Sequence, residues 1–201
     1  MKRLYFIVIL FPAVALFFTA CSPDRNRIKV QFDRPSQLVV YAHDGRRIFF
    51  DWLGEIPVTP PPGENDILLV SYLQSGHYNP EFADNFPGRK IIHEEAELNL
   101  GGIHVVSFPS VRKYYDSPDD VNAVNYAFLI EVDGFRIFYG GVMGNRYLTG
   151  KMKNNTSAGI DIACMQIYNR DSAMNLANLT GFKLIEEVRP GVVFVSQNSS
   201  E

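Results

Sequence analysis

Asp66–Pro80 reads DILLVSYLQSGHYNP, and its two halves differ in character. Ile67-Leu68-Leu69-Val70 is a short apolar run, too short for a free-standing helix, with Asp66 in front of it. A run of that length, apolar at every position, is the pattern of a strand covered on both faces. Behind it Ser71, Gln74, Ser75, Gly76, His77, Asn79 and Pro80 make a loop. In sheets layered with helices, chemistry collects in the loops that leave the carboxyl ends of strands. The stretch therefore predicts an α/β fold with a candidate site directly behind the buried strand.

The flanking sequence supplies the rest of the sheets. Ile28, Val30 and Phe32 alternate with Lys29, Gln31 and Asp33, the period of a half-buried strand. Leu38–Ala42 and Ile48–Phe50 flank His43-Asp44-Gly45-Arg46, which predicts a hairpin turning at Asp-Gly and ending in Asp51. The phrase returns at Ala127–Val132, Asp133-Gly134-Phe135-Arg136 and Ile137–Tyr139. Setting Asp44 on Asp133 puts Ile48 on Ile137 and Phe50 on Tyr139. Two like hairpins fit two sheets packed face to face; the plainer reading is that D-G-x-R-I-F turns well anywhere. Thr59–Gly63 is a stiff polyproline spacer. Pro80–Phe86 predicts a short helix with Asn79 as N-cap and Pro80 in the first position. Ile91–His93 and Ile103–Ser107 read as strands around the Gly101-Gly102 turn, and Lys113–Asn125 and Lys151–Gly159 as polar loops. Ile160–Ile167 reads as a strand, followed by a helix capped by Asp171, running to about Leu179 and stopped at Gly181. Val192–Val195 is the last strand expected.

The first twenty residues do not belong to that core. Lys2-Arg3, the apolar Leu4–Phe18 and Thr19-Ala20-Cys21 form the basic, apolar and small-residue regions of a secretory signal. Phe18-Thr19-Ala20-Cys21 also resembles a bacterial lipobox, which implies lipidation of Cys21 and a tether over 21–27 before a domain at 28–201. The alternative is an ordinary signal peptide beside an incidental cysteine. The resemblance implies the cell envelope, with Ser22 after the cysteine favouring the outer membrane's periplasmic face or the cell surface. Removing Lys2 and Arg3 with the signal takes the formal charge from −3 to −5. A mildly acidic domain without a basic run argues against nucleic acid as a partner, and leaves membrane attachment to acyl chains. At 201 residues, 46% hydrophobic and 20% charged, the chain is composed as one globular domain. Cys164 lies in an apolar run and reads as a core thiol. No G-x-S-x-G, nucleophile–histidine pattern or phosphate-cradling glycine loop occurs.

Asp66–His77 resembles the signature loop of the metallo-β-lactamase superfamily, most closely its ascorbate-6-phosphate-lactonase-like branch. There a buried strand runs into T/S-H-x-H-x-D-H, whose side chains hold one or two metal ions. The resemblance spans about residue 28 to the end of the chain. It implies an αβ/βα four-layer sandwich of two similar halves, shortened at its C-terminus because the family continues past this point. Laid on this chain, the threonine or serine falls on Ser71 and the histidines on Tyr72, Gln74 and His77, with the aspartate on Gly76. The family's acid at the end of the first hairpin is Asp51, with Trp52 where proline is usual. The next histidine falls on Arg112, the bridging aspartate of G-D-T on Gly141 and the last histidine on Gln197.

Zinc takes imidazole, carboxylate or thiolate, usually three from protein plus a water. Tyr72, Gln74, Gly141 and Gln197 are poor or impossible donors, and the Arg112 guanidinium repels a cation. The expectation is a domain without cofactor or metal and with no catalytic residues. Its candidate pocket is Asp51, Tyr72, Gln74, His77, Arg112 and Gln197, suited to a small anionic ligand or an envelope protein. The same side chains could instead simply fill the old cleft and satisfy one another. Two other classes stay open: a hydrolase of lactonase or esterase type, with zinc or another divalent metal on a site rebuilt from Asp51, His77 and His104, or a structural envelope subunit. His43 and His93 read as solvated.

Overall fold

The computed structural model describes residues 27–34, 36–74, 76–111, 124–143, 148–166 and 180–196. Five strands, β1 (Lys29–Arg34), β2 (Gln37–Tyr41), β3 (Arg47–Phe50), β4 (Ile67–Val70) and β5 (Arg89–Ile92), form one sheet in that order. The other sheet holds β6 (Glu97–Leu100), β7 (Ile103–Val111), β8 (Val124–Val132), β9 (Phe135–Tyr139), β10 (Ile162–Gln166) and β11 (Val192–Ser196), ordered from β11 to β6. Both sheets are mixed. In the first, β3, β4 and β5 run parallel after an antiparallel hairpin, and in the second β9, β10 and β11 do the same.

Alternation along each strand assigns its two faces. Leu38, Val40, Ile48, Phe50, Ile67 and Leu69 of the first sheet pack against Ile103, Val105, Phe128, Ile130, Ile137 and Tyr139 of the second. The residues between them point outward: Val39, Phe49, Leu68 and Val70 meet Trp52 and helix α1 (Pro80–Asn85). On the other side Phe108, Leu129, Phe138 and Ala163 meet Met152 of α2 (Gly150–Thr156) and Leu184 and Val188 of α3 (Thr180–Val188). The order helix, sheet, sheet, helix is the four-layer sandwich expected. It also explains why ILLV is apolar at every position: β4 is central and buried on both faces.

The hairpin repeat is structural. Ile48 pairs with Ile67 as Ile137 pairs with Ile162, and the superposed Phe50 and Tyr139 meet between the sheets at 4.8 Å. Arg47 N donates to Asp66 Oδ1 at 2.8 Å, and its counterpart Arg136 N donates to Asp161 Oδ2 at 2.7 Å. His43 N reaches Asp133 Oδ2 at 2.6 Å, so the two turns meet. The turns themselves differ. Asp133-Gly134 is a two-residue loop with φ +52 and +83, whereas the first is wider, Ala42 N donating to Arg46 O.

Several sequence expectations need correction. Lys151–Gly159 is not all loop: α2 forms because Thr149 caps it and Met152 and Thr156 bury. Ile91–His93 and Ile103–Ser107 do not flank one turn; β5 belongs to the first sheet, and β6 is the strand across Gly101-Gly102. Gly181 does not stop a helix but lies inside α3, anchored by Leu184 and Val188. The expected helix over Asp171–Leu179 lies outside the described residues. Asn79, as expected, caps α1, its side chain accepting from Phe82 N. Among the described residues, no helix is long and apolar enough to cross a membrane. Residues 1–26, with Cys21 and the expected signal, lie outside the described residues.

Candidate functional site

The carboxyl ends of β3, β4 and β9 converge at one end of the sandwich. Asp51 follows β3 in a left-handed conformation, φ +46, held by its N–H donating to Leu69 O at 2.9 Å. Its carboxylate is fully buried. Oδ1 accepts from Ser71 N at 2.7 Å. Oδ2 lies 2.6 Å from Ser71 Oγ, 2.7 Å from His77 Nδ1 and 2.6 Å from the Tyr139 hydroxyl. A buried carboxylate requires compensation, and here four donors from both sheets supply it. Register brings them together: Phe50 pairs with Leu69, so Asp51 and Ser71 leave parallel neighbours within one residue of the same level.

Burial, and then the Asp51 charge, hold the Tyr139 phenol well above its usual range. It stays a neutral donor at physiological pH, and its oxygen is also 2.6 Å from Ser36 O. Cys164 is a buried thiol, pushed by burial to about 12, and is no nucleophile.

A second buried network adjoins the first. Asn125 Nδ2 donates to Ser110 Oγ at 2.7 Å and Gly140 O at 2.9 Å, while its Oδ1 accepts from Val142 N at 3.0 Å. Tyr126 N donates to Ser71 O at 2.9 Å, tying the end of β4 to β8. Between the networks sits Gly141, at φ +56. A Cβ there would press into Ser71 Oγ and come within 2.6 Å of Ser71 Cβ and 2.7 Å of Asn125 Oδ1. A side chain at 141 has no room.

Four rings line the same end. Tyr72 is edge-on to His77 at 6.2 Å and to His93 at 6.1 Å, and His93 is edge-on to Tyr126 at 5.0 Å. His93 is not simply solvated. Its N–H donates to Val70 O, its Nε2 lies 3.1 Å from Val124 O, and its φ is +49.

Of the predicted pocket, Asp51, Tyr72 and His77 come together. Gln74 does not join them: it is exposed and contributes its backbone oxygen, which accepts from His77 N and Tyr78 N. Arg112 and Gln197 lie outside the described residues. His104 is on the outer face of its sheet, opposite Glu131 near the 133–134 turn, at the end away from Tyr139. There its Nε2 meets Glu97 at 2.9 Å, so Asp51, His77 and His104 are not one cluster. Sequence reasoning missed Tyr139, Asn125 and His93. Tyr139 had a signal, the lone hydroxyl where the superposed hairpin carries Phe50; Asn125 and His93 had none.

Whether these residues could hold a divalent cation follows from their donors. A ligating histidine usually gives its second ring nitrogen to a carboxylate, and His77 with Asp51 has that form. Among the described residues its companions are missing. Tyr72 is a packed phenol, Gly141 offers no donor and no space for one, and Asp51 is engaged by four protein groups. Among the described residues, no three His, Cys, Asp or Glu side chains are grouped to hold a metal. The described residues do not fit the ion.

Comparison with known proteins agrees with the fold. The model of the "Beta-lactamase superfamily domain" matches residues 36–196. A protein from Parabacteroides distasonis, assigned provisionally as a metal-dependent hydrolase, superposes with a TM-score of 0.59 at 13% identity, covering 87% of this chain and 84% of that one. Human tRNase Z, short form, gives 0.53 at 9% identity, covering 85% and 93%. The metallo-beta-lactamase fold protein YhfI from Bacillus subtilis gives 0.52 at 10%, covering 84% and 81%. At such identities the likeness concerns the fold alone. No curated protein sequence matches the chain.

Proposed function

The chain belongs to the beta-lactamase superfamily, and from that premise we propose a lipid-anchored envelope protein whose domain binds rather than hydrolyses. One observation carries the reading: the place of the bridging aspartate is closed. Ser71 and Asn125 occupy the volume a side chain at 141 would need, and protein donors from both sheets meet the Asp51 charge. The loop from Asp66 to His77 supports descent from the ascorbate-6-phosphate-lactonase-like branch. Attachment through Cys21 rests on the lipobox resemblance. Arg112 and Gln197, at the positions of two family histidines, favour a small anionic ligand or an envelope protein as the bound partner, with no nucleic acid involved.

The test is metal content together with turnover. The purified protein should carry no stoichiometric zinc, manganese or iron, and should show no lactonase or esterase activity. Tightly bound metal with turnover abolished by His77→Ala would replace the binding reading by the hydrolase one, for which the Asp51–His77 pair is the favouring observation. A Cys21→Ser protein should leave the membrane fraction. Loss of affinity in Arg112→Ala for an anionic ligand found by screening would support binding; unchanged affinity would favour a structural subunit.

A further inference from the structure

Four strands edge the two sheets, and they are not alike. β1 carries Lys29, Asp33 and Arg34 and a register irregularity between Phe32 and Arg34. β5 carries Arg89 and Lys90, and β6 carries Glu97. Charges and bulges of this kind are what keep an open edge from pairing with another chain. β11, Val192-Val193-Phe194-Val195-Ser196, has neither charge nor proline, and its register to β10 is unbroken. Among the described residues it pairs with β10 alone.

The edge is also where apolar surface gathers. Of the four large apolar residues exposed among those described, Val192 (49%), Val195 (51%) and Phe32 (38%) lie here, and only Leu73 (47%) lies elsewhere. Phe32 of β1 stacks on Phe194 of β11 at 4.4 Å, so one apolar seam runs across both sheets.

We propose that this seam is an interface with a second copy of the chain, β11 pairing antiparallel with its mate about a two-fold axis. Centred on Phe194, that pairing sets Val192 against Ser196 and Val193 against Val195, and joins two six-stranded sheets into one. Charge selects the occupant. A strand meeting its own copy meets its own charges, which costs β5, with adjacent Arg89 and Lys90, and costs β11 nothing. Phe32, Val192, Phe194 and Val195 leave water together. The inference does not depend on how the Asp51 end is read.

Sedimentation equilibrium of the full chain in density-matched detergent tests it. The wild-type protein should be a dimer at micromolar concentration. Val195→Lys should raise its dissociation constant by about 30-fold or more, since the lysine meets the mate's edge. Leu73→Lys, a charge on the apolar residue outside the seam, should leave it unchanged. Should Val195→Lys misfold, co-expressed Val193→Cys and Val195→Cys chains give a second reading, an intermolecular disulfide on mild oxidation. A wild-type monomer throughout, a dimer indifferent to Val195→Lys, equal loss in Leu73→Lys, or absence of the cross-link would each overturn the proposal.

Discussion

Tyr139→Phe takes one donor from Asp51 and leaves the ring in its stack with Phe50. A hydrogen bond to a charged group contributes about 1.5–3 kcal/mol, so the variant should be about 2 kcal/mol less stable at pH 7. The pH dependence has a definite sign. Burial, and then the Asp51 carboxylate, raise the folded-state pKa of Tyr139 well above the usual phenol value of about 10. The stability it contributes is therefore full below pH 10 and is lost as pH rises toward the folded value. The unfolded chain releases that proton first, which costs about 1.4 kcal/mol per pH unit. A gap of about 2 kcal/mol at neutral pH should then close roughly 1.5 units above pH 10. Urea unfolding of parent and variant, followed by circular dichroism from pH 7 to 11.5, measures it. The difference between the two isolates Tyr139 from the nine other tyrosines. Equal stability at pH 7, or a gap that stays constant through pH 11, would refute the reasoning.

Gly141→Ala combines a left-handed backbone with a Cβ pressed into Ser71 and Asn125, and should cost about 2–5 kcal/mol in urea unfolding. Gly140→Ala, whose Cβ would meet Met143 at an ordinary 3.6 Å, should cost far less. Asp66→Asn leaves the buried Arg47 guanidinium without its anion and should destabilise by about 3–5 kcal/mol. The equivalent Asp161→Asn, at an exposed position, should cost about 1 kcal/mol or less by the same measurement. The Cys164 thiol, held at about 12, leaves about one thiolate in ten thousand at pH 8. Iodoacetamide should label Cys164 on unfolding, and in the native state at a rate rising about tenfold per pH unit.

The fold was legible because its strands obey simple periods. ILLV and the two D-G hairpins located the central strands, and the superposition of Ile48 on Ile137 holds in the sheet registers. Short pieces stabilised by tertiary burial were not legible. α2 is the sequence GKMKNNT, polar at most positions, and it is helical because Thr149 caps it and Met152 buries. β6, where Leu98 and Leu100 alternate with Glu97 and Asn99, has only two apolar positions to mark it. At the candidate site, the contact between Asp51 and His77 joins two residues that stand out in the sequence by their chemistry alone. Asn125 and His93 act through partners far along the chain, Gly140 and Val142 for one and Val124 for the other, which no local pattern reveals.

The two halves explain why the candidate site lies where it does. Each pairs a hairpin with a parallel strand, and each fastens them by an arginine backbone N–H to an aspartate, Arg47 to Asp66 and Arg136 to Asp161. Those fastenings sit at the start of β4 and β10, and both halves keep them. At the other end the halves diverge: the position after Phe50 is Asp51, and the position after Tyr139 is Gly140. One half thus contributes a buried charge and the other a hydroxyl and a close backbone, and they fit only as a pair. Asp51 without Tyr139 would be under-compensated. A carboxylate that bound metal would keep a lone pair open to the ion. At Asp51, Oδ2 alone faces three donors, and the sheets are joined through that atom. The site end is thereby made part of the core, with its charge balanced by donors from both halves of the chain.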